Sequence, residues 1–494
     1  MSSAPGRRLS RRQFLTGTAL AAAAAGVPAR ALSNALANEN SQTGSPPPPV
    51  TKILADWVAA SNHADIPESA RKEAIRAIVN WTAATLGGSQ QPAVNIALAT
   101  VGSYSCASGV ALLGRSERLD PLRSALVTGI SSHVLDFDDT DLKTIIHPAG
   151  PIASALFSLC QQQPIRGADL LHAFILGVEV ECRLGRAIYP SHYQMGWHIT
   201  GTCGAFGSAA ACGKALGLNA ERMQMALGIV ATEAAGLKVE FGTMCKSLNM
   251  GRAAQNGMLA ALLAGHGFSG AADAIEGKGG YVQAASLHHD YSAITEDLGQ
   301  KFEISRETYK PFACGIVIHP VIDAVLQLRR QYGLQPQAIR SIKVVANPLV
   351  LQLTGKKDPQ DGLEGKFSVY HSAAVALVRG YAGPGEYTTS AVNNSVVVDL
   401  RRRVAVQVDP HIREDEAIVT ITTNNGQVLN KHVEHAIGSA ARPLSDMDLD
   451  RKYRELARGI LPRRQAEKVL ATAWNLENLP SAAEFPEAAA RKRK

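Results

Sequence analysis

The sequence predicts a mostly α protein: a large all-helical domain into which a smaller α+β lid domain is inserted. Three observations predict it. Helical periodicity runs almost unbroken from about Thr51 to Gln300, alternating segments rich in Val, Ile and Thr begin near Tyr309, and helical periodicity returns after about Gly438. The hydrophobic content of 46% and charged content of 19% are those of a globular chain; with only 5% aromatic residues, its core must be built from Ala, Leu, Val and Ile.

The first element in chain order is a leader. Ser10-Arg11-Arg12-Gln13-Phe14-Leu15 opens an alanine-rich apolar run to about Val27, and small-x-small sites follow at Ala29-Arg30-Ala31 and Ala35-Leu36-Ala37. Residues 1–37 read as a twin-arginine signal peptide, which sets the expectation of a periplasmic or secreted bacterial protein with no stable membrane insertion after export. Residues 1–31 hold five arginines and no acid, so the formal charge of +7 falls to +2 without them. Four of the remaining positive charges are Arg491-Lys492-Arg493-Lys494, and no basic stripe is interleaved with aromatics. No nucleic-acid partner is expected. The seven cysteines are odd in number, show no CxxC spacing and sit mostly among small apolar residues, the pattern of buried thiols rather than of a disulfide framework or zinc site.

Residues 38–50, with Ser45-Pro46-Pro47-Pro48-Pro49, form a proline-rich linker. The helical domain is expected over 51–305. ESARKEAIRAIVNWTAATLGG (68–88) places Ala70, Ile75, Ile78, Val79 and Thr82 on one face and ends in a glycine stop. ADLLHAFILGVEVECRLGRAIY (168–189) is apolar nearly all round, as in a buried helix, and GTCGAFGSAAACGKALGL (201–218) is small enough for close helix approach. The lid is expected over 306–437. AIRSIKVVANPLVLQL (338–353) and EAIVTITTNNGQVLNKHV (416–433) alternate as strands, the second with a hairpin signal at Asn424-Asn425-Gly426, and KFSVYHSAAVALVRG (366–380) between them reads as a helix. Residues 438–494 return as C-terminal helices completing the helical domain.

Four polar islands could carry chemistry. SSHVLDFDDTDLKTIIHPAG (131–150) holds Asp136, Asp138, Asp139, Asp141 and His147. A helical magnesium motif needs acids one turn apart on one face; Leu142 stands where the third would be and no second acidic cluster follows, so no metal is expected. In GWHITGTCGAFG (196–207), His198 precedes the glycine-rich start of a helix, where free N–H groups favour an anion. Its glycines lack the preceding strand and the spacing of a dinucleotide loop. EFGTMCKSLNMGRAAQNG (240–257) holds Lys246, and YKPFACGIVIHPVIDAV (309–325) holds Lys310 and His319 at the join between domains, where clefts tend to form. Acid, histidines and lysines together are what a site needs to remove a proton next to a carboxylate.

These segments also resemble the MmgE/PrpD family, which includes 2-methylcitrate dehydratases and cis-aconitate decarboxylases. The resemblance rests on TGISSHVLDFDDT followed by HP, the GxEVxxRLG run at 177–185, HITGTCGAFGSAAACGKALGL, GLKVEFGTMCKSLNMGRAA, YKPFACGIVIHPVIDA and GKFSVYHSAAVAL, in order over about residues 51–480. It implies a homodimer with a cofactor-free site between the helical domain and the lid, acting on a small polycarboxylate, with site residues at Asp136, Thr140, His147, His198 and Lys246. The sequence departs from the family pattern in three places: His147 is one residue further from Thr140, Gly315 replaces a histidine of the decarboxylases, and Asn249 replaces a histidine three residues after the lysine. His319 keeps its counterpart. The expected activity is a lyase (dehydratase or hydratase) in which His147 or His198 is the base, Lys246 clamps a carboxylate and Asp136 orients or protonates the leaving hydroxyl. Thr140, Lys310 and His319 would bind substrate. An isomerase or epimerase, a decarboxylase, and a non-catalytic carboxylate-binding protein are the alternatives.

Overall fold

A computed structural model describes residues 46–105 and 109–492. The leader reading of 1–37, and most of the linker reading, lie outside those residues. Chain regularity begins with α1 (Val50–Ala60) and α2 (Glu68–Gly88). From Arg76 onward almost every residue of α2 is buried, on all faces rather than one stripe, because later helices pack around it. The glycines at its end serve packing as well as termination: a Cβ on Gly88 would lie 1.9 Å from the Ser131 carbonyl oxygen.

That carbonyl belongs to α3 (Pro121–His133), whose start is capped by Asp120 accepting from the Arg123 N–H. A two-residue strand, β1 (Asp139–Thr140), follows, and then α4 (Ala149–Leu159), α5 (Gly167–Ile188), α6 (Ile199–Ala215), α7 (Ala220–Ala231) and α8 (Cys245–Gly265). The Gly- and Ala-rich α6 packs against α4, α5, α7 and α8, which small side chains permit at short range. The GxEVxxRLG run is structural. Arg183 pairs with Glu179 at 3.0 Å, and its guanidinium donates to the carbonyls of Ile294, Glu296, Asp297 and Lys301.

A second two-residue strand, β2 (Thr308–Tyr309), pairs antiparallel with β1, Asp139 opposite Tyr309 and Thr140 opposite Thr308. Beyond it come α9 (His319–Tyr332), β3 (Ile339–Ala346), α10 (Val369–Arg379), β4 (Val404–Val408), β5 (Ala417–Thr423) and β6 (Val428–Val433). The sheet order is β4-β3-β5-β6, with β3 and β4 parallel and the other pairs antiparallel. Burial alternates strictly along β5, and α9 covers β5 and β6. The chain then returns to its start: α11 (Asp446–Ala457) and α12 (Arg463–Trp474) pack against α2. The fold is mostly α with a small inserted sheet domain. No helix among the described residues is long and apolar enough to cross a membrane.

Candidate active site

The aspartate-rich segment acts as a turn rather than a helix. After α3 the backbone passes through Asp136 at a φ of 51° and Ile145 at 61°, a left-handed conformation uncommon for any side chain and an outlier for a β-branched one. Both residues line the same cavity. The β1–β2 pairing brings Lys310 alongside, and its ammonium lies 2.5 Å from Asp136 Oδ1. Lys246, in the first turn of α8, reaches the same oxygen at 3.1 Å.

The four aspartates divide their work. Asp136 faces the cavity with the two lysines. Asp138 is fully buried and accepts from His133 Nδ1 at 2.6 Å. Asp139 Oδ2 accepts the Ala149 N–H at the start of α4 at 2.8 Å, and Asp141 Oδ2 accepts from Thr144 Oγ1 at 2.7 Å, closing the 141–146 loop.

His147 stands just before α4 and lines the cavity. Its Nδ1 lies 2.7 Å from the Asp139 carbonyl oxygen and 3.1 Å from Thr140 Oγ1. His198 is the residue preceding α6, with its Nδ1 3.1 Å from Asn249 Nδ2 and its buried Nε2 without a hydrogen-bond partner among the described residues. The helical part thus contributes Asp136, His147, His198 and Lys246, together with Tyr193 and Phe241. The opposite wall is Gly315, Thr354 and Phe367, with Lys310 at the join.

Two expected site residues lie elsewhere. Thr140 is not on the cavity wall; its hydroxyl donates to the Asp139 carbonyl at 2.8 Å and so sits behind His147, where it orients the ring. His319 packs edge-on against Phe312, with its Nε2 3.4 Å from the Cys314 carbonyl oxygen, and borders a separate void of about 20 Å³. At position 315 a Cβ would lie 2.9 Å from Thr354 Cγ2, so the threonine methyl occupies the space a side chain there would enter.

Burial sets the charge states. Burial alone would raise the Asp136 carboxyl, but the Lys246 and Lys310 ammonium groups overcome it and hold it well below the usual carboxylate range. Burial pushes His147 and His198 well below the ordinary histidine value, and the nearby lysines add to this, so both rings are neutral at pH 7. Burial also lowers Lys246 against the pull of Asp136, whereas for Lys310 the pull of Asp136 and Asp138 outweighs burial and raises it.

Two groups at the site escaped sequence reasoning. His133 forms the dyad with Asp138 and lies 4.9 Å, centroid to centroid, from the His147 ring. Lys366 donates to the Val134 carbonyl at 3.1 Å, and burial brings its ammonium down to about 8. His133, Asp136 and His147 present ligand atoms within 4.8 Å of one another. An ion there would face the two ammonium groups already on Asp136, which makes the set a poor cation site. A larger surface recess of about 410 Å³ brings together only Asp273 and Lys278 among charged groups.

Comparison with known proteins gives the same direction. The MmgE/PrpD N-terminal domain matches residues 52–294 and the MmgE/PrpD C-terminal domain residues 312–478. A cis-aconitate decarboxylase of Aspergillus terreus is 26% identical over 472 residues, 90% of this chain and 95% of that protein. Those of Mus musculus and Homo sapiens are each 27% identical, covering 76% and 73% of this chain and 80% and 78% of their own lengths. These relatives correct one expectation. They are fungal and mammalian enzymes rather than bacterial twin-arginine exported ones, and the periplasmic or secreted placement read from residues 1–37 is withdrawn. With both domain matches in order along it, the chain belongs to the MmgE/PrpD family.

Proposed function

We propose that the protein is a lyase acting on a small di- or tricarboxylate, removing a proton alpha to a carboxylate and eliminating water. The observation that carries this reading is two neutral histidines and two ammonium groups around one cavity. Lysines neutralise substrate carboxylates and the charge that develops as the proton leaves; a neutral imidazole is the form of histidine able to take that proton. His147 has the better geometry for the base. Its Nδ1–H donates to a carbonyl oxygen, which can only accept, so the lone pair is on Nε2. Asp136, held ionised, has no proton to give and serves as the counter-ion that orients both lysines. Lys246, made more acidic by burial, is the group suited to protonate the departing hydroxyl. The α-proton passes to His147, the C–O bond breaks, and the oxygen leaves as water with the Lys246 proton.

The relatives' names favour a second reading, decarboxylation of a similar acid. The glycine at 315, where the family resemblance implies a decarboxylase histidine, weighs against it. Incubation in deuterated buffer with citrate, 2-methylcitrate, aconitate isomers, malate and tartrate, followed by proton NMR, separates the two. Loss of an α-proton signal with a new alkene and no carbon dioxide is the expected result, and His147→Ala and Lys246→Ala should each slow it by roughly 10²-fold or more. Carbon dioxide release would select the decarboxylase, exchange without an alkene the isomerase, and tight binding without exchange a binding protein.

A further inference from the structure

His147 and His198 face one cavity, but their inner nitrogens meet opposite chemistry. The partners of His147 Nδ1 are the Asp139 carbonyl oxygen at 2.7 Å and Thr140 Oγ1 at 3.1 Å, whose own proton is given to that same carbonyl. A carbonyl accepts only, so His147 carries its proton on Nδ1. The partner of His198 Nδ1 is the amide nitrogen of Asn249 at 3.1 Å. An amide nitrogen donates only, so Nδ1 holds the lone pair and the proton is on Nε2.

We infer that the two cavity histidines are locked in opposite tautomers, and that Asn249 is the positioning residue that makes His198 a hydrogen-bond donor toward the substrate while His147 presents a lone pair. His198 Nε2 is buried, lines the cavity and has no partner among the described residues, which leaves its N–H for a substrate oxygen. Asn249 is placed for the task by α8, one turn beyond Lys246, and packs over Gly236, whose carbonyl accepts the His198 backbone N–H at 3.0 Å. Burial keeps the ring neutral, and a neutral imidazole N–H stabilises a developing carboxylate charge without giving up its proton. This donor role rests on the proton-abstraction reading above; the tautomers themselves do not.

The two parts are tested together. Protein labelled with ¹⁵N in histidine, with resonances assigned through His147→Gln and His198→Gln, reports which ring nitrogens carry protons. In the unliganded wild type, His198 should be protonated on Nε2 alone and His147 on Nδ1 alone. Asn249→Asp offers an acceptor instead and should move a proton onto His198 Nδ1, with the His147 signals unchanged. The same variant should slow α-proton exchange into the active acid by on the order of 10²-fold, the size of effect seen for losing a charge-stabilising donor. Asn249→Ala, which removes the amide without adding charge, should bring both His198 tautomers into view and confirms the lock if the Asp variant does not fold. A wild-type His198 protonated on Nδ1, or a tautomer indifferent to both substitutions, overturns the inference. Expected tautomers with no exchange into any acid would instead sink the functional proposal and leave the lock standing.

Discussion

His192 precedes the cavity residue Tyr193 and has both ring nitrogens occupied: Nδ1 donates to the Ala285 carbonyl at 2.8 Å and Nε2 accepts from Thr202 Oγ1 at 2.8 Å. Its ring stacks on Trp197, the residue before His198. Burial lowers it from 6.5 to about 4, so the unfolded chain binds its proton first as pH falls. The stability this neutral ring contributes is present above pH 6.5 and is lost as pH falls through about 4. His192→Gln keeps a donor and an acceptor but does not titrate. Urea unfolding at stepped pH should show the wild type losing roughly 3 kcal/mol relative to the variant across that window; parallel pH curves would rule this out. The residues legible in the sequence were those standing in polar islands, Asp136, His147, His198 and Lys246 among them. His133 was not legible as a site group, because nothing local in that island marks it as the partner of Asp138; only the turn at Asp136 folds Asp138 back onto it.

The element that couples packing to chemistry is the crossing of α3 and α8. A Cβ on Gly251 would lie 2.3 Å from the Leu126 carbonyl oxygen, and one on Gly129 would lie 2.7 Å from the Gly251 Cα, so the two helices touch backbone to backbone. α3 leads into Asp136 and α8 carries Lys246 in its first turn, so this spacing fixes their 3.1 Å contact. Gly251→Ala should lower stability by roughly 1–3 kcal/mol through overpacking, although alanine is the better helix former by about 1 kcal/mol. Calorimetry would show a lower Tm and the exchange assay a slower rate; an unchanged or higher Tm would mean the helices can part freely. Periodicity revealed the helix at 68–88 and the hairpin at Asn424-Asn425-Gly426, because each carries its own local signal. It failed at 347–353, read as a continuing strand. There Pro348 has a φ of −52° and Asn347 Oδ1 accepts the Leu349 N–H at 3.0 Å, starting a short helix from a Leu-Val-Leu run that fits either structure.

At the scale of the whole molecule, the cavity volume sets the constraint. About 30 Å³ holds one or two waters and no polycarboxylate, so substrate entry requires the two walls to part. Two contacts among the described residues would have to yield. Phe241 and Phe367 stack with centroids 5.6 Å apart across the cavity, and Lys366 reaches from the lid side to the carbonyl of Val134 at the end of α3. Both lid-side residues lie in 353–367, and Phe241 and Lys246 of the facing wall lie in 238–246, whereas the β1–β2 pairing forms a short ladder at the join. Opening therefore moves two chain segments far apart in sequence as one event, and a bound acid that bridges Lys246 and Lys310 should hold them shut. Hydrogen exchange read by mass spectrometry tests this directly. Saturation with an acid that the protein turns over should slow amide exchange in 353–367 and 238–246 together, and by similar factors, while the sheet of β3 to β6 is unaffected. Protection confined to 238–246 would mean that substrate binds to the helical part alone and that the lid takes no share in closing the site.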